Sequence, residues 1–223
     1  VLTDEDEAVL FRIEPTRALV DPPGSTVFID RLAEPRVAPI PEGEWTPEQR
    51  ALVARYAPDG DPGNALRTLL RVPTLADRVF PLLTYVSNDS TLSPRHRAIL
   101  ILRTAWLTQN GYLWSAHASR DDHGLEAEEV LRVAEGAVDG WSSFEQTLIG
   151  LADELFRNAS VTDRTWTELN RMYELENLAD AVVTVNEVTA SSVLFNSLGI
   201  QPDPDATMLM PSDDVAYLID VPD

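Results

Sequence analysis

The 223-residue sequence contains no cysteine, and all 17 of its basic residues are arginine. Without a thiol, disulfides, thiolate nucleophiles, thiolate zinc sites and iron–sulfur clusters are excluded. Without lysine, no side-chain amine can form an imine with a carbonyl substrate or with pyridoxal phosphate. No stretch approaches the roughly 18 consecutive apolar residues of a membrane span. No dense basic patch interrupts the formal charge of −20, so phosphate backbones and anionic lipid surfaces would be repelled. A glycine-rich phosphate loop and a G-x-S-x-G elbow are also missing. The three histidines follow neither the i,i+4 spacing of a zincin nor that of a zinc finger. These absences lead us to expect no metal, no cofactor, no nucleic acid and no membrane partner. The acidic residues 1–7 do not read as a signal or transit peptide, which makes a cytoplasmic protein the expectation.

What is present is an ordinary globular composition, 44 % hydrophobic, sufficient for one sizeable core. Residues 1–43 are rich in proline and lack sustained periodicity. They read as an extended N-terminal arm, either a loose tail or an arm around a neighbouring subunit, with a short turn or strand at residues 25–29. Helical signals begin at Trp45. Thr46-Pro47 opens a helix to about Tyr56, and others follow over residues 64–71 and from Pro73 to near Ser87. Ser93-Pro94 opens a strongly apolar helix through Leu107, interrupted by Gln109-Asn110-Gly111. Tyr112 to about His123, closed by Gly124, reads as the next helix. Residues 126–135, 142–156, 164–173 and 177–198 complete the set, with Leu148, Leu151, Leu155 and Phe156 sharing one face and Gly199 closing the last. Residues 201–223 are a Pro- and Asp-rich tail with a short strand at 215–219. The expected fold class is all-α, with a helical domain at residues 44–200.

The run SPRHRAILILRTAW at residues 93–106, followed by Tyr112-Leu113-Trp114-Ser115-Ala116-His117, resembles the signature of the carboxymuconolactone decarboxylase / alkylhydroperoxidase D-like superfamily. Residues 39–45 and 59–70 resemble its entry helix, and residues 185–200 its closing helix; the likeness spans about residues 37–202. The resemblance implies a bundle of about six helices, assembled into trimers or hexamers, with the active site near the subunit boundary. His117 matches the family histidine, and Tyr112 and Trp114 its flanking aromatics. The departures are informative. Ala98 stands where a glutamate usually follows the arginine of the first motif. Asn110 and Leu113 occupy the cysteine positions of the peroxidase branch, and Gly111 and Leu113 those where the decarboxylase-like branch often has glutamate. The spacing from histidine to glycine is one residue short.

A cysteine-free site cannot reduce peroxides by the thiol route. Loss of the neighbouring carboxylates removes the natural partner of His117. The replacements Ala98, Gly111 and Leu113 are small or apolar, which suggests room for a greasier ligand flanked by Tyr112, Trp114 and Trp106. The leading expectation is a cofactor-independent lyase, isomerase or cyclase acting on an apolar, polyketide- or terpenoid-like molecule. His117 would be acid or base, Tyr112 a donor to an enolate, Asn110 or Arg97 a holder of a carbonyl or carboxylate, and Glu187 a substitute acid. Each has a plainer role: His117 as a satisfied core histidine, Tyr112 and Trp114 as packing, Glu187 as a structural acid, and Arg97 and Arg103 as interhelical ion pairs. Two other classes stay open. One is a decarboxylase of aromatic-acid catabolism with arginines on carboxylates; the other is a non-catalytic oligomeric module that binds ligand unchanged.

Overall fold

In the computed structural model, residue 32, residues 34–58 and 60–204, and residue 206 are described. The strand expectations at 25–29 and 215–219 lie outside these residues. Nine α-helices and no strand occur among the described residues. They are α1 Pro47–Tyr56, α2 Gly63–Leu69, α3 Pro73–Thr84, α4 Pro94–Leu107, α5 Gly111–Ala118, α6 Ala127–Glu135, α7 Ser143–Asn158, α8 Asp163–Leu169 and α9 Leu175–Leu198. The architecture is all-α, as the periodicity predicts.

Helix α4 is the hub. Ser93 caps it by accepting from the His96 N–H, Pro94 fixes its first turn, and everything from Ala98 to Leu107 is buried. It packs against α5, α6, α7 and α9, so its apolar circumference meets neighbours on every side. Arg103 carries a charge into this core. The Arg103 Nε–H and Nη2–H donate to Asp153 of α7 at 2.7 and 3.2 Å, and Nη1 donates to the Val133 and Ala134 carbonyls that end α6. The cation thus meets both a carboxylate and the negative end of a helix dipole. Gly136, at φ +92°, permits the approach; a Cβ there would lie 3.1 Å from Nη2.

The segment before α1 docks on its own chain. Arg36 and Val37 donate their N–H groups to the Leu198 carbonyl, and Ile40 donates to that of Arg67. Gly199, at φ +72°, ends α9 beneath this segment, where a Cβ would come within 3.2 Å of the Pro35 and Arg36 backbone. Asp203 returns from the other end to accept from the Asn64 N–H at 2.6 Å, at the start of α2. Helix α9 is long and apolar enough to cross a membrane by composition, but half of its most apolar window is buried among the other helices. It is the second core helix of the bundle.

Two helix ends and one buried face are among the differences from the sequence expectation, and α8 also stops early, at Leu169 rather than near Tyr173. Helix α3 gives way after Thr84 to a π-helical turn, Tyr85–Asp89, held where Tyr85 donates to Asp180 of α9 at 2.7 Å. Asp180 also accepts from the Thr91 N–H and hydroxyl, so a buried carboxylate dictates the turn. Helix α5 stops at Ala118, five residues before the expected end. Arg120 folds onto Asp122, and the Leu125 N–H donates to His123 Nδ1, so side chains take over hydrogen bonds that a helix would have made. Phe156 is exposed, whereas Leu148 and Leu151 carry the buried face of α7.

Candidate active site around His117

The loop after α5 returns over the first turns of α4 and meets the π turn there. Arg95 pins the loop, donating from Nη1 to the Gly124 carbonyl at 2.8 Å while bridging Glu129 and Glu145. A small cavity of about 10 Å³, partly open to solvent, lies where the three segments converge. That space accommodates about one water-sized group. Helix α4 contributes Arg97, Ala98 and Ile101; α5 contributes His117; the loop contributes Arg120, Asp122 and His123; the π turn contributes Ser87.

The lining is mixed: Pro94, Ala98 and Ile101 are apolar, and Arg97 and Arg120 bring positive charge. Arg97 donates from Nη1 to the Asn88 carbonyl at 2.9 Å, and Arg120 donates from Nη1 to Asn88 Oδ1 at 3.1 Å. Arg120 also grips Asp122 through two contacts of 2.8 Å. The carboxylates that answer these two guanidinium groups, Asp122 on the loop and Asp89 at the end of the π turn, are both exposed. Burial, and then the nearby Arg120, lower Arg97 from its ordinary value. Half-buried His117 is pushed down to about 3, first by desolvation and then by Arg120 and Arg97. Its imidazole is therefore neutral at neutral pH. Asp122 is held down at about 2 by Arg120.

Of the residues singled out in the sequence, Arg97, Ala98 and His117 come together here. The others do not. Tyr112 lies five residues before His117, about 140° away around the helix. Its ring packs edge-on against Phe195, and its hydroxyl reaches Asp203 across from Gly63. Asn110 is buried as the cap of α5, accepting from the Leu113 N–H at 2.7 Å and donating to Asn196 Oδ1 at 2.9 Å. Gly111 begins α5, Leu113 is a core side chain, and Trp106 and Trp114 pack together at 5.5 Å within the core. Glu187 sits on α9, accepting from the Ser191 hydroxyl at 2.7 Å, with its carboxyl raised by burial. The apolar enclosure expected from Ala98, Gly111 and Leu113 does not form, because only Ala98 faces the cavity. Arg103 makes the interhelical ion pair given above.

Sequence reasoning passed over Asn88, Arg120, Asp122 and His123. Residues 121 and 122 read as a solvated acidic face, and the only hint was a histidine flanked by charge just after the family-like motif. His96, the remaining histidine, is hydrogen-bonded to Tyr173 at 2.7 Å and packs on Phe144, apart from this site. Among the described residues no three His, Asp or Glu side chains converge as a metal site. A larger open groove of about 640 Å³ runs between α7 and α8. Of its charged groups, Glu154 accepts from Thr162 and Thr165, and Arg171 bridges Glu168, with Arg164 beside them.

The fold has close counterparts among solved structures. The alkylhydroperoxidase AhpD core protein of Ralstonia eutropha JMP134, an uncharacterized peroxidase-related protein, superposes with a TM-score of 0.65 at 16 % identity, covering 75 % of this chain and 92 % of its own. An uncharacterized peroxidase-related protein from Silicibacter sp. TM1040 superposes with a TM-score of 0.58 at 12 % identity, covering 84 % and 97 %. No family model and no curated protein matches the chain. The class defined is therefore the alkylhydroperoxidase D-like helical fold, in a version carrying no cysteine.

Proposed function

We propose that this chain is a cofactor-independent enzyme of lyase or isomerase type, in which His117 moves a proton on a small acid held by Arg97 and Arg120. The observation that carries this reading is the convergence of a neutral imidazole and two guanidinium groups on one solvent-reached cavity. An imidazole held near 3 is a weak base while the site is empty of anion. A bound carboxylate would offset the field of Arg97 and Arg120 and restore basicity at the moment of binding. Proton transfer is thereby tied to occupancy by the right charge.

This lining shifts the substrate preference. A polyketide- or terpenoid-like ligand was expected from an apolar enclosure, whereas paired guanidinium groups suit an anionic acid. Decarboxylation of an aromatic-derived carboxylic acid fits the same geometry and is the favoured reaction within the class. Assembly into trimers or hexamers belongs to the same proposal, since the open side of a one-water cavity needs further walls to enclose a whole substrate. Light scattering on the purified chain reads the assembly directly.

The test is a panel of small mono- and dicarboxylic acids, screened by thermal shift and then followed for chemical change by NMR. Wild-type protein should convert at least one acid, and His117→Ala should bind that acid without converting it. Unchanged turnover in His117→Ala removes His117 from the chemistry. A ligand that binds wild type and stays unaltered points instead to the non-catalytic module.

A further inference from the structure

His123 has an arrangement that its loop position does not require. It is 8 % exposed, and its Nδ1 accepts the Leu125 N–H at 3.0 Å. A nitrogen that accepts carries no proton, so the neutral ring holds its proton on Nε2. That Nε2 is shut away from solvent and finds no hydrogen-bonding partner in the chain, although the residue lines the cavity shared with His117, Arg97 and Arg120. A buried donor left without an acceptor is costly, on the order of 1–3 kcal/mol, and calls for an explanation. The backbone bond fixes which nitrogen offers the proton, and the cationic surroundings set the charge of what would take it.

We infer that His123 is a binding residue of this site, its Nε2–H donating to one oxygen of a small carboxylate whose charge faces Arg97 and Arg120. A cavity of about 10 Å³ admits a single oxygen, so the carboxylate enters end-on with the rest of the molecule outside, and because no water-sized group touches Nε2 in the empty site, the ring turns slightly to meet it. This deepens the proposed function and rests on its placing the substrate in the same cavity. It assigns His123 to holding the acid and leaves proton transfer to His117.

Two variants separate the halves of the ring. His123→Asn keeps an acceptor for the Leu125 N–H, as in an Asx turn, and removes the distal donor. His123→Gln carries a donor at the distal position and gives up the proximal acceptor. Acetate is the probe, followed by long-range 1H–15N spectra of the three imidazoles, with inorganic phosphate as a second arm. Acetate should shift the His123 Nε2 resonance in wild type, and its affinity should fall ~10-fold or more in His123→Asn while the melting temperature holds. His123→Gln should recover part of that affinity. Equal affinity in wild type and His123→Asn, or an unmoved His123 resonance, overturns the inference; phosphate binding in place of acetate overturns the carboxylate assignment. Acetate binding that survives His117→Ala supports it. The two readings fail separately, because the acetate measurements involve no turnover and His117→Ala retains His123.

Discussion

Helix α4 carries two arginines six residues apart that meet opposite circumstances. Arg103 is buried, faces Asp153, and spends its remaining donors on two helix-ending carbonyls. Arg97 has one carbonyl acceptor and a second guanidinium for a neighbour, beside two histidines. The first cluster is closed: its charge is balanced and its donors are used. The second has its cations answered only by exposed carboxylates and keeps a donor that has nothing to bind. A folded chain tolerates the second kind where a ligand completes it, which is why we place function at Arg97 and structure at Arg103.

Substitutions sharpen this contrast. The largest effect should come from Arg103→Ala, which strands Asp153 and the end of α6; loss of about 3–5 kcal/mol in chemical denaturation is expected. A loss under about 1 kcal/mol would erase the distinction between the clusters. Acid should next expose the open cluster. Folded His117 titrates near 3 and the unfolded residue near 6.5, so between these values the unfolded chain binds the extra proton. Stability from this group is complete above about 6.5 and declines as the pH falls towards 3. His117→Gln should flatten the melting-temperature profile across that window, and an unchanged slope there would show that the imidazole titrates freely. Arg97→Ala should cost under about 1 kcal/mol of stability yet weaken carboxylate binding ~10-fold or more, the reverse of Arg103. The smallest effect is expected from Asp122→Asn. Its ion pair with Arg120 is largely exposed, so stability should change by less than about 1 kcal/mol while carboxylate affinity rises; reduced affinity would mean that Asp122 orients Arg120 for binding.

The fold was legible because its signals are local. Thr46-Pro47 and Ser93-Pro94 announce helix starts, and each forms the cap its residues suggest. The even apolar distribution along residues 98–107 marks a buried helix, and α4 is the hub. The site was less legible. Two members of the cavity, Arg97 and His117, were visible through the family-like motif, and Ala98 was noticed as a missing acid. Ser87 and His123 were not, since they reach the cavity from a π turn and from a loop that leaves the helical path early. Tyr112 illustrates the converse error. Adjacency to His117 in a motif suggested a shared pocket, yet five helical residues turn it towards Phe195 and Asp203.

Sequence alone determined the helical class, the exclusion of thiol and imine chemistry, and the strongly apolar helix that begins at Ser93-Pro94, because composition, capping and periodicity act over a few residues. Only the tertiary structure decided which charges are closed and which are open. That outcome depends on where Asp153, Asn88 and Asp122 come to lie against three arginines, and on a returning loop that turns the acceptor of His123 inward and leaves its donor unspent. Complementarity between groups distant in the chain has no period in the sequence, and here it separates a structural ion pair from a candidate binding site.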